Sequence, residues 1–391
     1  MSIDSRIAAL VPEITEWRQD MHKHPELDFD VHRTASFVAD KLREFGCDEV
    51  VEGIGRTGVV GVIKGSVAGN QVIGMRADMD ALPIEEETGV SYSSTNEGLM
   101  HACGHDGHTA MLLGAAKAMC ATRQFAGSVV VIFQPAEEAS GGGREMVEDG
   151  LFERFGIQSV YGMHNLPGIP VGHFGLRDGP IMAAADMFDI IIEGKAGHAA
   201  MPQLCVDSTY IAAQVINAIQ AIASRVVDPL QPVVISITGI QSDSNAYNII
   251  PQRVTMRGTL RALSEPVRKL AETQLISVVE NVAAAHGAKG TVDYDKGYPP
   301  TISTADHTRF ATQVARTVAG DEAVDANAPA LMAAEDFSYM LDASVGNYCF
   351  LGNGDSHSLH HPKYNFNDDA IAYGSSYWLA LAEQGLPISP S

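Results

Sequence analysis

The chain has 391 residues, enough for two domains, since a single hydrophobic core rarely grows past roughly 250–300 residues. Its 46% hydrophobic content is that of an ordinary globular protein, and 48 acidic against 26 basic side chains leave a net charge of −22, which argues against nucleic acid as a partner because phosphate binding needs a basic surface. No basic segment leading into an apolar one opens the sequence and no run of about 18 apolar residues occurs, so neither a signal peptide nor a membrane span is expected.

Two helices are predicted in the first forty-five residues. Ile7, Leu10, Ile14 and Trp17 form one helical stripe that His24-Pro25 breaks, and Ala35, Val38, Ala39, Leu42 and Phe45 repeat the period before Gly46. Strands are expected at 58–63 and 71–76, the second running into Asp78-Met-Asp-Ala-Leu-Pro83. A helix over 109–119 follows, then strands at 128–133 and 160–163. The run at 128–133 is apolar without alternation, the pattern of a strand covered on both faces. Strands alternating with helices and carrying polar clusters at their C-terminal ends describe an open, mostly parallel α/β sheet, in which ligands bind beyond those ends.

From about residue 186 the pattern changes. A strand at 186–193, an amphipathic helix over 207–227 with Ile211, Val215, Ile219, Ile222 and Val226 on its stripe, strands at 233–240 and 253–261, a helix from Ser264 and Pro266 to about 285, and a strand at 290–295 follow in order. This β-α-β-β-α-β order is the ferredoxin-like split motif. The strand at 253–261 alternates, with Val254, Met256, Gly258 and Leu260 directed inward. Beyond Tyr298-Pro-Pro300 the first style resumes, with a helix at 307–318, a strand at 347–351, a loop rich in Gly, Asp, Ser and His over 352–361, and a last helix over 368–383. The expected organisation is an α/β catalytic domain of residues 1–185 and 296–391, interrupted by an α+β domain at 186–295.

The chemistry concentrates in His101-Ala-Cys-Gly-His-Asp-Gly-His108, which sets a thiol, three imidazoles and a carboxylate within eight residues. Thiolate and neutral imidazole are common ligands of divalent transition metals. Adjacent acids close Gln134-Pro-Ala-Glu-Glu138, where unpaired burial would cost heavily, and a metal partner accounts for both clusters. Cys103, His105, Glu138, His164 and His360 would make a two-metal site, and Glu137, beside a ligand carboxylate, is the candidate general base. A lone histidine after a strand is usually structural, so His164 is even on chemistry alone, and His357 and His361 compete with His360. His101 and His108 read as structural or supporting groups, with Asp80 or Asp106 available to orient a ligand imidazole. The five cysteines are odd in number and scattered, which does not read as a disulfide framework and suits a reducing cytoplasm.

These segments, taken with Met75-Arg-Ala-Asp-Met-Asp-Ala-Leu-Pro83, Gly162-Met-His-Asn165, Gly194-Lys-Ala-Gly-His-Ala-Ala200, Tyr247-Asn-Ile-Ile-Pro251, Ala334-Glu-Asp-Phe-Ser338 and Leu359-His-His-Pro362, resemble the M20 metallopeptidase family in order and over nearly the whole chain. The resemblance is to its amidohydrolase branch, which holds hippurate hydrolases, N-acyl-amino-acid amidohydrolases and plant auxin-conjugate hydrolases. It implies hydrolysis of a small N-acyl amino acid by metal-activated water, with an N-acetyl-amino-acid or N-acetyl-diaminopimelate deacetylase, or a dipeptidase, as the alternative on the same scaffold. It also implies two divalent ions per chain (Mn2+ or Zn2+, with Co2+ or Ni2+ as substitutes) on Cys103, His105, Glu138, His164 and His360, with Glu137 as base. Cys103 stands where other branches have a bridging aspartate, and Asp78 where many members carry a histidine ligand. The inserted domain is then a lid and dimerisation element in a homodimer or homotetramer, and its His198 and Asn248 reach the partner's substrate.

Overall fold

Residues 3–388 are described here, in a computed structural model. The N-terminal stripes bury their apolar faces: α1 (Val11–Lys23) turns Ile14, Trp17 and Met21 inward, and α2 (His32–Phe45) turns Ala35, Val38, Ala39 and Leu42 inward. A hairpin follows, β1 (Glu49–Ile54) antiparallel to β2 (Gly58–Lys64), and then β3 (Val67–Asp78). α3 (His105–Thr122) is buried almost all round, as expected of a helix that is apolar on every side. It begins at His105, four residues before the expected start. The first turn is made of His, Asp, Gly and His, which carry no apolar period, so periodicity registers only from Thr109. The backbone N–H groups of Gly107 and His108 nevertheless both reach the Gly104 carbonyl, at 2.9 and 3.1 Å, and close that turn. β4 (Ala126–Gln134), the short α4 (Gly142–Glu148), β5 (Ser159–Pro167) and the two-residue β6 (Phe174–Gly175) complete this part of the chain.

A second unit comprises Met182–Thr301 and Ala330–Glu335. Its strands β7 (Ala184–Glu193), β8 (Val233–Ser242), β9 (Arg253–Ala262) and β10 (Lys289–Asp295) pair antiparallel in the order β8-β9-β7-β10, which is ferredoxin-like. α5 (Ser208–Ala221) and α6 (Glu265–Ala285) cover the face made by Phe188, Ile190, Ile192, Met256 and Leu260. The expected single helix to residue 227 ends early. From Ile222 to Val226 the backbone widens into a π turn, with Val227 N bonded to Ile222 O at 3.0 Å. That slip of one residue buries Val227 and leaves Val226 exposed, so Val226 does not belong to the inward stripe.

The remaining elements return to the first unit, which among the described residues is 3–181, Ile302–Pro329 and 336–388. They are α7 (Ala305–Ala319), β11 (Val324–Asp325), β12 (Val345–Gly354) and α8 (Ala370–Gly385). The eight-stranded sheet runs β1-β2-β4-β3-β5-β12-β6-β11. Its central four strands, β4, β3, β5 and β12, are mutually parallel. Their C-terminal ends therefore open on one edge, where Asp78, Gln134, Pro167 and Gly354 hand the chain to loops. Among the described residues no helix is long and apolar enough to cross a membrane.

Candidate metal centre

Cys103 and His105 sit on either side of Gly104, which has φ 91°. A Cβ on Gly104 would lie 2.3 Å from Asn165 Nδ2 and 2.5 Å from the Tyr364 hydroxyl, so both the dihedral and the space demand glycine. Those two neighbours hold the segment: Tyr364 donates to Asn165 Oδ1 and Asn165 Nδ2 donates to the Cys103 carbonyl, each at 2.6 Å. The turn aims the Cys103 thiol at His164, with Sγ 3.4 Å from Nε2. His164 is on β5, and its Nδ1 donates to the Asn165 carbonyl at 2.6 Å, which leaves Nε2 as the lone-pair nitrogen.

Glu137 and Glu138 follow the end of β4 through Ala136, a buried residue at φ 55°. A non-glycine residue in that region is strained, and such strain gathers at functional sites. Asp80, just beyond β3, secures the turn by accepting both backbone N–H groups, from Glu137 and from Glu138, at 3.0 Å each. Its Oδ1 also lies 3.4 Å from His105 Nδ1, which orients the ring and turns Nε2 towards Glu138 Oε1 at 3.8 Å and Glu137 Oε2 at 4.0 Å. His360 reaches the cluster from the loop after β12, with φ 62°, its N–H on the Ala102 carbonyl, and Nε2 3.3 Å from Glu138 Oε2.

Cys103 belongs to two trios of donor atoms, one with His105 and His164 and one with Glu138 and His360, and within each trio the atoms lie within 4.8 Å of one another. Among the described residues, His105 Nε2 and Glu138 Oε1 are buried and make no hydrogen bond. Burial alone would push the His105 imidazole down, but Asp78, Asp80 and Glu138 outweigh it and hold the ring protonated up to about 10. Burial, then Glu138, Glu137 and Asp78, push the Cys103 thiol well up. A field that favours positive charge this strongly, in a buried place with unsatisfied polar atoms, fits a divalent cation, which a thiolate, imidazoles and a carboxylate can hold.

His108 is the supporting group expected of it, whereas the roles of Asp336, Arg18 and His22 escaped sequence reasoning. His108 is fully used: Nδ1 donates to Asp78 Oδ1 at 2.6 Å and Nε2 accepts the Asn165 N–H at 2.9 Å. Asp78 also accepts from Arg76 at 2.6 Å, so its carboxylate is tied to structural partners. Asp336 accepts from Arg76, Gln134 and the Gly143 N–H, at 2.7–2.9 Å, and so joins β3, β4 and the start of α4. Asp106 turns away from the cluster, accepting from His22 Nδ1 at 2.8 Å with Arg18 3.7 Å off, and both partners are buried on α1. The spacing of Arg18 and His22, four apart and flanking Trp17 and Met21, was the available signal. His198 and Asn248 lie in the second unit, both exposed; His198 is on a two-residue strand that pairs antiparallel with Ile249–Ile250, and Asn248, just before that partner strand, accepts from the Ala199 N–H through its carbonyl.

Residues 74–384 match the description of Peptidase family M20/M25/M40. The chain is 41% identical to a hippurate hydrolase of Campylobacter jejuni, over 98% of this chain and 99% of that one. It is 38% identical to an N-acetyl-L-cysteine deacetylase of Bacillus subtilis, over 97% and 89% of the two chains. Its structure matches the crystal structure of the Bacillus subtilis YXEP protein, a dinuclear metal-binding peptidase of the M20 family, with a TM-score of 0.85 at 32% identity over 97% of this chain and 99% of that one.

Proposed function

The chain belongs to peptidase family M20/M25/M40 and is a hydrolase of amide bonds, and from that premise we propose that its substrates are N-acyl amino acids, split to a carboxylic acid and a free amino acid. One observation carries the reading: Cys103, His105, Glu138, His164 and His360 converge beyond the C-terminal ends of the sheet's central parallel strands, with Glu137 beside them. The two donor trios sharing Cys103 support two cations per chain. Thiolate and imidazole favour Zn2+ and the carboxylate leaves room for Mn2+, with Co2+ or Ni2+ as substitutes. When bound, such ions lower the pKa of water towards about 7 and polarise a scissile carbonyl.

The chain's own residues supply the rest. Glu137 takes the proton of the attacking water and delivers it to the departing amine. Asp80 fixes Glu137 and Glu138 through their N–H groups and sets the His105 ring. A panel of N-benzoyl, N-acetyl and N-fatty-acyl amino acids beside dipeptides tests the substrate class. The expected kcat/KM on the best N-acyl amino acid exceeds that on any dipeptide by about 100-fold. A dipeptide as best substrate overturns the reading in favour of a peptidase.

The second unit is proposed as a lid and dimerisation element, in a homodimer or a tetramer of such dimers, with His198 and Asn248 completing the partner's site and His198 steadying the developing oxyanion. Co-refolding inactive Glu137→Gln chains with inactive His198→Ala chains checks this. Random pairing makes half the dimers mixed, each with one intact site, so roughly a quarter of wild-type activity returns. No recovery from verified mixed dimers would assign His198 to its own subunit. A cytoplasmic location completes the proposal, supported by the odd, scattered cysteines.

A further inference from the structure

Cys47 and Cys120 are 73 residues apart in sequence, yet their sulfurs are 3.6 Å apart. Neither takes part in the site described above. Two features of the fold bring them together. α2 ends at Gly46 (φ 82°), and the Cys47 N–H turns back to the Leu42 carbonyl at 3.1 Å, which presents the Cys47 side chain at the helix end. Cys120 lies in the last turn of α3, which Arg123 terminates in a left-handed conformation at φ 48°.

Arg123 then ties the two ends to each other. Its guanidinium donates to the Gly46 carbonyl at 2.8 Å, to Asp48 Oδ2 at 2.6 Å and to the Lys64 carbonyl at 2.7 Å. It therefore grips the residues on both sides of Cys47 from the helix end that carries Cys120. The pair also has a polarised proton. The Cys47 bond is the main influence holding the Cys120 thiol below its ordinary value, with Arg123 adding to it, while the same bond and then burial push Cys47 up. The two sulfurs share a hydrogen bond in which either can donate, so loss of one proton leaves a thiolate held by its neighbour's S–H.

We propose that Cys47 and Cys120 are a redox modification site, closing to a reversible disulfide when the protein meets hydrogen peroxide and locking the end of α3 to the turn after α2. The thiolate attacks the peroxide O–O bond, giving a sulfenic acid and, with one thiol proton, a first water. The second sulfur displaces the sulfenyl oxygen, which leaves with the other thiol proton as a second water. Two thiols lose two electrons and one peroxide gains them. Closing the pair from 3.6 Å to the bonded length of about 2.05 Å needs a sulfur movement within reach of a small side-chain rotation. Cys47 is half-buried and Cys120 is buried, which admits a small oxidant and disfavours a bulky one.

The metal-loaded full chain is treated with hydrogen peroxide, alkylated, digested without reductant and mapped by mass spectrometry. The expected result is a Cys47–Cys120 cross-linked peptide that dithiothreitol removes, with a rise in Tm of about 3–8 °C, because the cross-link closes a long loop in the unfolded chain. Cys47→Ser and Cys120→Ser each abolish both the peptide and the shift, whereas Cys205→Ser keeps them. Arg123→Ala slows cross-linking several-fold by releasing the grip on Gly46 and Asp48. Both cysteines remaining alkylatable in folded wild-type protein after that treatment overturns the proposal, whatever the variants do. A Tm rise that survives in Cys47→Ser overturns it as well.

Discussion

Glu137→Gln lowers kcat by about 10³–10⁴-fold while the protein keeps its full complement of metal. The amide keeps the size of the side chain, and the Glu137 backbone N–H stays on Asp80 at 3.0 Å. What disappears is the part that the proposed role asks of this residue, an oxygen that can accept a proton from water and return it to the leaving amine. KM should move little, since binding does not use that proton. Glu138→Gln gives the contrasting pattern. Its carboxylate faces His360 at 3.3 Å and His105 at 3.8 Å, so its neutralisation costs metal content first and activity as a consequence. Steady-state kinetics with elemental analysis of both variants separates the roles. Near-normal turnover in Glu137→Gln would remove it from the proton path.

The clustering of the candidate site was legible in the sequence for a reason rooted in the sheet. β4 and β5 are apolar runs, and each ends at a polar cluster, so the strand ends and the chemistry announced themselves together. The return of β12 beside β5, with Phe350 opposite His164, is what brings the loop of His360 to the same edge. That pairing is a long-range fact with no local signature. The order of the second unit's strands was equally readable because β9 alternates cleanly, with Val254, Met256, Gly258 and Leu260 buried.

What stayed hidden was structure without period. β1 reads Glu-Val-Val-Glu-Gly-Ile and is half exposed, so no burial pattern marks it as a strand. The first turn of α3 consists of donor atoms and a glycine, and its helical form comes from Gly104 and the Asn165–Tyr364 brace. The buried trio Arg18, His22 and Asp106 was masked by a general rule, since charged side chains next to an apolar stripe are ordinarily solvated. Here they neutralise one another: Arg18 also pairs with Asp368, at 2.7 Å through two nitrogens. Burial alone would push the His22 ring down, but Asp106 and Glu86 hold it protonated, up to about 9.

Removing the metal has the widest expected effect, because it touches both chemistry and fold. Exhaustive dialysis against a chelator should bring activity to background, and Zn2+, Mn2+ or Co2+ should restore it. Tm should fall with the metal, since an ion that binds only the folded chain stabilises it in proportion to the logarithm of its concentration over Kd. The sign of the pH dependence follows from the ligands. With the His105 ring held protonated up to about 10 and the Cys103 thiol pushed well above its ordinary value, both carry protons near pH 7 in the metal-free protein. Cation binding must displace them, so affinity rises with pH, and about two protons per chain leave on full loading. Calorimetric titration in buffers of different ionisation enthalpy counts them directly. The same titration counts the ions. Cys103 is the donor common to the trio with His105 and His164 and the trio with Glu138 and His360, an arrangement that a single ion would leave half used. Saturation at one ion per chain, with full activity, would refute the shared role of Cys103.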